Sequence, residues 1–329
     1  MVKEHLEYLI CPVCKGSLKL QKEIYEGDLI KEGVLSCNCA KEYPIVNFIP
    51  RFVPKSNYAD SFGFEWNMHK KTQFDSESGV EASKRRFYEE TKWNPKEGGI
   101  ILEAGCGSGR FTPYALQVVG REGLLISFDY SSAVDAALVG NPLSKNLLFL
   151  QANIYELPLK EWIIDKCFCF GVLQHTPSAK VAICSLIKSL KQGGEFVCDH
   201  YPFNHNTPFN TKYWVRPITT RIPHKMLYNF GRKYINFMWP LFKFNRKFFS
   251  PKRANRINWR LLIPDYSSEG LSEEKLKEWA YLDFFDMLSP KYDRPILMQT
   301  FYDYLQESGL ENIWVKKGYN GWEGRGVKR

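Results

Sequence analysis

Ile100-Ile101-Leu102-Glu103-Ala104-Gly105-Cys106-Gly107-Ser108-Gly109-Arg110-Phe111-Thr112 is the stretch whose reading decides the fold. A short apolar run, Ile100–Leu102, ends in the acidic Glu103, and glycines follow at alternate positions 105, 107 and 109. Glycine lets the backbone turn sharply and lets a ligand come close to it. A strand entering such a loop and a helix leaving it make a nucleotide-binding corner. The dinucleotide fingerprint G-x-G-x-x-G does not fit, because its sixth position is Arg110 and not glycine.

Further apolar runs follow in order. Leu124–Phe128 ends in Asp129, twenty residues past Gly109. Leu147–Leu150 leads to Gln151-Ala152-Asn153-Ile154. A fourth run ends in Phe170-Gly171-Val172-Leu173-Gln174-His175, and Leu190-Lys191-Gln192-Gly193-Gly194 turns into a fifth. Glu103–Gly109 with this series resembles the E/D-x-G-x-G-x-G pattern of class I S-adenosylmethionine (SAM) methyltransferases of the type 11-like kind. The resemblance covers roughly residues 99–201 and 295–329. It implies an α/β fold: a Rossmann-like seven-stranded methyltransferase sheet with a helical insert after strand 5. It also implies a SAM site at Glu103, Gly105, Cys106, Gly107, Gly109, Asp129, Tyr130, Asn153, Ile154 and Gly171. Asp129 at the tip of the second strand would accept both ribose hydroxyls. Asn153 stands where the family usually has Asp, and its carbonyl oxygen would take the adenine amine.

The chemistry asks little more of the chain. The sulfonium of SAM already activates its methyl group, so the enzyme supplies alignment and water exclusion. A hydroxyl or protonated amine acceptor also needs a base. His200, in Asp199-His200-Tyr201 at the end of the fifth strand, is the first candidate. His175, after the fourth strand, is the second, and Tyr201 and His205 are weaker.

The chain has 329 residues and a formal net charge of +9, enough for one large domain and a smaller one. Met1–His5 carries no basic segment followed by an apolar core, and no run reaches the length of a membrane span. A cytoplasmic protein without a transmembrane segment is expected. In that setting nine cysteines favour thiols and metal sites over disulfides.

Cys11-Pro12-Val13-Cys14 is a metal knuckle, and Cys37-Asn38-Cys39 supplies a second close pair. Together they match a structural Cys₄ zinc site, with reduced, packed thiols as the competing reading. The stretch between them, Gly16–Leu35, alternates as a hairpin would. With Glu42–Pro50 as closing strand, the region resembles the small zinc ribbons of the Trm112 type. The family normally has C-x-x-C in the second pair, so the shorter C-x-C predicts a strained knuckle. Cys106, Cys167, Cys169, Cys184 and Cys198 fall in apolar patterns and read as core.

The domain reading is therefore a ribbon over 1–54, a linker with cofactor-covering helices over 55–98, and a methyltransferase domain over 99–329 with a substrate lid at 203–294. Within the linker, Arg86 in the helical stretch Glu81–Thr91 is a candidate to close over SAM. Phe203–Arg260 holds thirteen Lys or Arg and no Asp or Glu, so the rest of the chain is net negative. Many aromatics are interleaved. Three partners suit such a segment: an anionic small substrate, RNA contacted through phosphates and stacking, or an anionic membrane surface. Tyr228–Phe249 reads as amphipathic, interrupted by Pro240. In the tail, Leu271–Asp286 and Ile296–Ser308 read as helices, and Asn312–Lys317 and Gly324–Lys328 as strands.

The function expected is SAM-dependent methyl transfer to an O or N atom of a small molecule, a saccharide or an anionic carrier-linked metabolite. An RNA methyltransferase using ribbon and insert to bind rRNA or tRNA is the alternative. A non-catalytic SAM-binding module is a third reading, and the intact cofactor motifs argue against it.

Overall fold

The expected hairpin forms from β1 (Leu18–Glu26) and β2 (Leu29–Cys37), turned at Gly27 with φ +61°. The computed structural model describes residues 1–54 and 56–329, so the domain boundary at Lys55 lies outside the described residues. β3 (Glu42–Val46) and β4 (Ile49–Pro50) complete a four-stranded antiparallel sheet. Three helices follow: α1 (Asp60–Met68), α2 (Asp75–Ser78) and α3 (Ala82–Thr91).

The apolar runs become the parallel strands of a second sheet. In chain order they are β5 (Ile100–Ala104), α4 (Thr112–Val119), β6 (Leu124–Asp129), α5 (Ala133–Gly140), β7 (Leu147–Gln151), β8 (Ile164–Cys169), α6 (Ala179–Ser189) and β9 (Leu190–His200). All six residues of β6 are buried, as strands covered by helices on both faces require. The cap follows as α7 (Thr211–Thr219), α8 (His224–Phe248), α9 (Pro251–Arg260) and α10 (Glu273–Leu288). Ser272 caps α10 as its residue type suggests, accepting from Lys275 N at 3.3 Å. The chain closes with α11 (Met298–Glu307), β10 (Leu310–Lys317) and β11 (Trp322–Lys328).

The sheet has seven strands in the order β7-β6-β5-β8-β9-β11-β10, with β11 antiparallel to β9. Strand order reverses beside β5, where β6 lies on one side and β8 on the other. That reversal opens a crevice at the carboxyl ends of the strands, where open α/β sheets take ligands.

The ribbon packs onto the opposite edge strand. Arg51 bridges Gln151 in parallel, and Phe52 N donates to the Gln151 carbonyl at 2.8 Å. Leu9 bridges Leu159, and Leu9, Leu35 and Ile45 share one buried core with Leu148, Leu150 and Leu159. The cap has a separate core of Leu227, Ile235, Phe242, Leu276 and Phe284. α8 runs unbroken through Pro240, contrary to the expected interruption. Pro240 lies on the exposed side, so the carbonyl it leaves unbonded at Asn236 meets water. Among the described residues, no helix is long and apolar enough to cross a membrane.

Candidate functional site

The glycine loop sits where β5 meets α4. Gly105 has φ +74°, and a Cβ there would lie 2.3 Å from Val172 Cγ2. Gly107 has φ +55°, and a Cβ there would meet the Trp66 indole nitrogen at 3.0 Å. Gly105 N and Cys106 N both donate to the Phe128 carbonyl, at 2.8 and 2.9 Å, which holds the loop against β6. Asp129 closes the corner: its carboxylate accepts from Gly107 N at 3.0 Å, Ser131 N at 2.8 Å and Ser131 Oγ at 2.7 Å. Burial raises its pKa even against these bonds.

A cavity of about 370 Å³ lies between this corner and the cap. Gly105, Cys106, Gly107, Asp129, Tyr130, Ile154 and Gly171 line it. Glu103, Gly109 and Asn153 do not. Glu103 is buried behind the loop and accepts from Thr112 Oγ1 at 2.6 Å and Ser127 Oγ at 2.8 Å, tying β5 to α4 and β6. Burial pushes its carboxyl up to about 7. Asn153 Oδ1 accepts from its neighbour Tyr155 N at 3.1 Å.

The segment between β4 and β5 supplies Tyr58, Phe62, Trp66 and Arg86 to the wall. Arg86 is 5% exposed. It donates to Glu90 at 2.8 Å and to Asp199, whose other oxygen accepts from Gly171 N at 2.7 Å. Its guanidinium also lies over the rings of Phe111, Phe170 and Tyr319. Removing the cation while leaving both carboxylates buried is costly. Arg86→Met is expected to destabilise the fold by about 3–5 kcal/mol in chemical denaturation. An unchanged midpoint would show that Asp199 is held by other groups.

Opposite the glycine corner, the cap contributes Trp259, Tyr266, Trp279, Asp283 and Asp286. Burial pushes both Asp283 and Asp286 up to about 6, and the Tyr266 hydroxyl donates to Asp283. Arg110, the residue that breaks the dinucleotide fingerprint, lies over Phe111 at 4.6 Å. Among the described residues it has no ion-pair partner within 4 Å. Desolvation and the nearby Arg86 charge both lower its pKa. Arg110, Tyr266, Asp283 and Asp286 escaped the motif reading. The available signal was two acids, i and i+3, on the otherwise apolar run Leu282–Leu288.

The two histidines separate. His175 lines the cavity, with Nδ1 2.9 Å from the Tyr292 carbonyl and its ring edge-on to Phe62 and Tyr201. His200 is not part of the wall. It is 1% exposed and packs against Phe301 at 5.8 Å between centroids. Burial drops its pKa to about 4. Strand alternation explains the split: Asp199 and Tyr201 face the cavity side, so His200 faces the other.

The four ribbon cysteines converge. Their Sγ atoms all lie within 4.8 Å of one another. Cys11 and Cys39 are 3.7 Å apart and Cys14 and Cys37 are 3.3 Å apart. Four thiolates around zinc at about 2.3 Å need sulfur separations close to these. A Cβ at Gly16 would come within 3.3 Å of Cys14 Sγ, so a side chain there would crowd the cluster. The expected strain does not set the short pair apart: Lys15, just after Cys14, and Ala40, just after Cys39, sit at φ +60° and +62° alike. The cluster therefore fits a structural zinc ion.

Residues 102–198 match the model of a methyltransferase domain family. The chain is 31% identical over 101 residues to a demethylmenaquinone methyltransferase of Lactococcus lactis, covering 30% of this chain and 40% of that one. It is 29% identical over 133 residues to an uncharacterised chloroplastic methyltransferase of Arabidopsis thaliana, covering 38% of this chain and 37% of that one. The chain thus spans less than half the length of these relatives. Among solved structures it is similar to a chain from the complex of the Trm112 methyltransferase activator with a methyltransferase from Haloferax volcanii. That match has 12% identity, a TM-score of 0.48 and coverage of 82% of this chain and 97% of that one. Residues 102–198 thus carry the match to a methyltransferase domain, set behind an N-terminal ribbon whose four cysteines could hold a metal ion.

Proposed function

We propose that this chain transfers the methyl group of SAM to an O or N atom of a small anionic acceptor, a saccharide or a carrier-linked metabolite. One observation carries the reading. A single cavity joins a cofactor-type wall to a cap wall, and an unpaired guanidinium, Arg110, lines it. A partly buried cation without an ion-pair partner is costly, and an acceptor's phosphate or carboxylate would supply the missing charge.

The wall fits SAM. Gly105 and Gly107 make positive-φ turns that bring the loop backbone to the cavity wall, and Asp129 Oδ2, which accepts one bond, keeps a lone pair for a ribose hydroxyl. Tyr130 and Ile154 offer apolar surface for a base. Bound there, SAM would supply an electrophilic methyl group. The residues of the chain orient the acceptor, exclude water and take a proton. Phe62, Trp66, Trp259 and Trp279 form the dry part of the wall. His175 is the proposed base. A carbonyl only accepts, so Nδ1 carries the hydrogen toward Tyr292 and Nε2 keeps its lone pair. An acceptor O–H or N–H held at Nε2 would give its proton there as the acceptor takes the methyl group and the cofactor's carbon–sulfur bond breaks to leave a neutral thioether.

Calorimetry tests the cofactor half. Asp129→Ala should weaken SAM binding by about 1–3 kcal/mol, the cost of stranding buried polar partners. Undiminished affinity would place the ribose elsewhere. For the acceptor half, methyl-labelled SAM offered with phosphorylated sugars and their neutral counterparts should label the anionic set. Equal labelling of both sets would remove the role of Arg110.

A further inference from the structure

The outer face of the cap presents an uncovered apolar stripe. On α8, Met226, Phe230, Phe237, Leu241, Phe244 and Phe248 are all 39–81% exposed. Their spacings of 4, 7, 4, 3 and 4 residues keep them on one face. At 1.5 Å per residue the stripe runs about 33 Å. It is separate from the face that builds the cap core through Leu227, Ile235 and Phe242. On α7, Trp214 and Ile218 are also exposed, at 64% and 69%. Monomeric proteins rarely leave so many large apolar groups in water without a use.

Charge says what covers it. Of the thirteen cations in Phe203–Arg260, Lys212 and Arg216 reach Asp293, Lys243 reaches Glu273 and Arg246 reaches Asp265. Among the described residues the other nine have no ion pair. Lys225, Lys233 and Lys247 lie on α8 next to the apolar stripe. An apolar face bordered by lysines, with bulky aromatics and no acid in the segment, matches an anionic bilayer surface: the rings enter the headgroup boundary while the ammonium groups meet lipid phosphate. We propose that the α7–α8 face docks the protein on an anionic lipid bilayer.

The placement is consistent with access to the site. A second chamber of about 400 Å³ shares Tyr266 and Asp283 with the main cavity and is walled by Asn206, Lys212 and Tyr213. Its wall comes from the segment that carries the exposed Phe209 and Trp214. Docking there would set the chamber beside the bilayer. The proposal does not depend on which acceptor the cavity takes.

The test is flotation of the full chain with vesicles of phosphatidylcholine alone or mixed with phosphatidylglycerol. Binding is expected to the mixed vesicles and to fall as salt rises. Phe237→Ser with Phe244→Ser should weaken it by about tenfold or more. Lys233→Gln with Lys247→Gln should cost about fivefold per charge. These side chains are exposed, so SAM affinity and melting temperature should stay unchanged and report intact folding. Absence of binding, or equal binding to neutral vesicles, overturns the proposal. So does a dimer in light scattering that F237S/F244S abolishes, which would assign the face to a second copy. Salt-resistant RNA binding that competes with vesicles would assign it to RNA.

Discussion

Replacing Cys37 and Cys39 by serine is expected to empty the ribbon of metal and lower the stability of the whole chain. Metal analysis of the unaltered protein should give about one equivalent of zinc, as one closed tetrahedral site requires. The double variant should give none. In small zinc modules the metal's apparent contribution is about 10–16 kcal/mol, which is folding free energy. Here the loss would not stay local. Leu9, Leu35 and Ile45 of the ribbon share a core with Leu150 of the large sheet and Leu159 of the segment between β7 and β8. Losing the ribbon would also bare the edge of β7, where Arg51 and Phe52 now sit. The melting midpoint should fall, by roughly 2–4 °C for each kcal/mol lost. Full zinc occupancy in the variant would show that the ligands lie elsewhere.

His175→Ala is expected to lower turnover by about 10²–10⁴ while SAM affinity is unchanged, because the ring's proposed work is proton transfer. The paired experiment is His200→Ala. That ring lies against Phe301 outside the cavity, so its removal should cost stability and spare turnover at permissive temperature. Near-normal turnover in the His175 variant, with a collapse in the His200 variant, would reverse the assignment. Measuring both with one acceptor separates the proton path from packing.

The contrast between these histidines shows what local pattern could convey. Gly105, Gly107 and Asp129 were legible because the loop and the strand tip that hold them are set by a few neighbouring residues. His200 was placed by its distance along the chain, whereas facing in a strand depends on parity, and Asp199 and Tyr201 take the cavity side. Arg110 was visible only as a mismatch to another fingerprint. Asp283 and Asp286 come to the glycine corner from a helix roughly 170 residues away. No short-range signal announces that approach, because packing of α10 beneath α8 creates it. Pro240 misled for a related reason. The rule that proline ends a helix weakens where the freed carbonyl reaches water and the opposite face is locked into a core.

The joint burial of ribbon and large sheet also orders events at the ribosome. The ribbon is synthesised by Phe52, but Leu159, which bridges Leu9, emerges roughly 100 residues later. At about 5–20 residues per second that interval is about 5–20 s. Until then the nascent ribbon shows its apolar side to solvent and to chaperones. Its four thiolates, with the zinc they would hold, must then keep it in shape alone. Zinc scarcity during translation would therefore reduce how many chains mature, and leave those already matured unaffected.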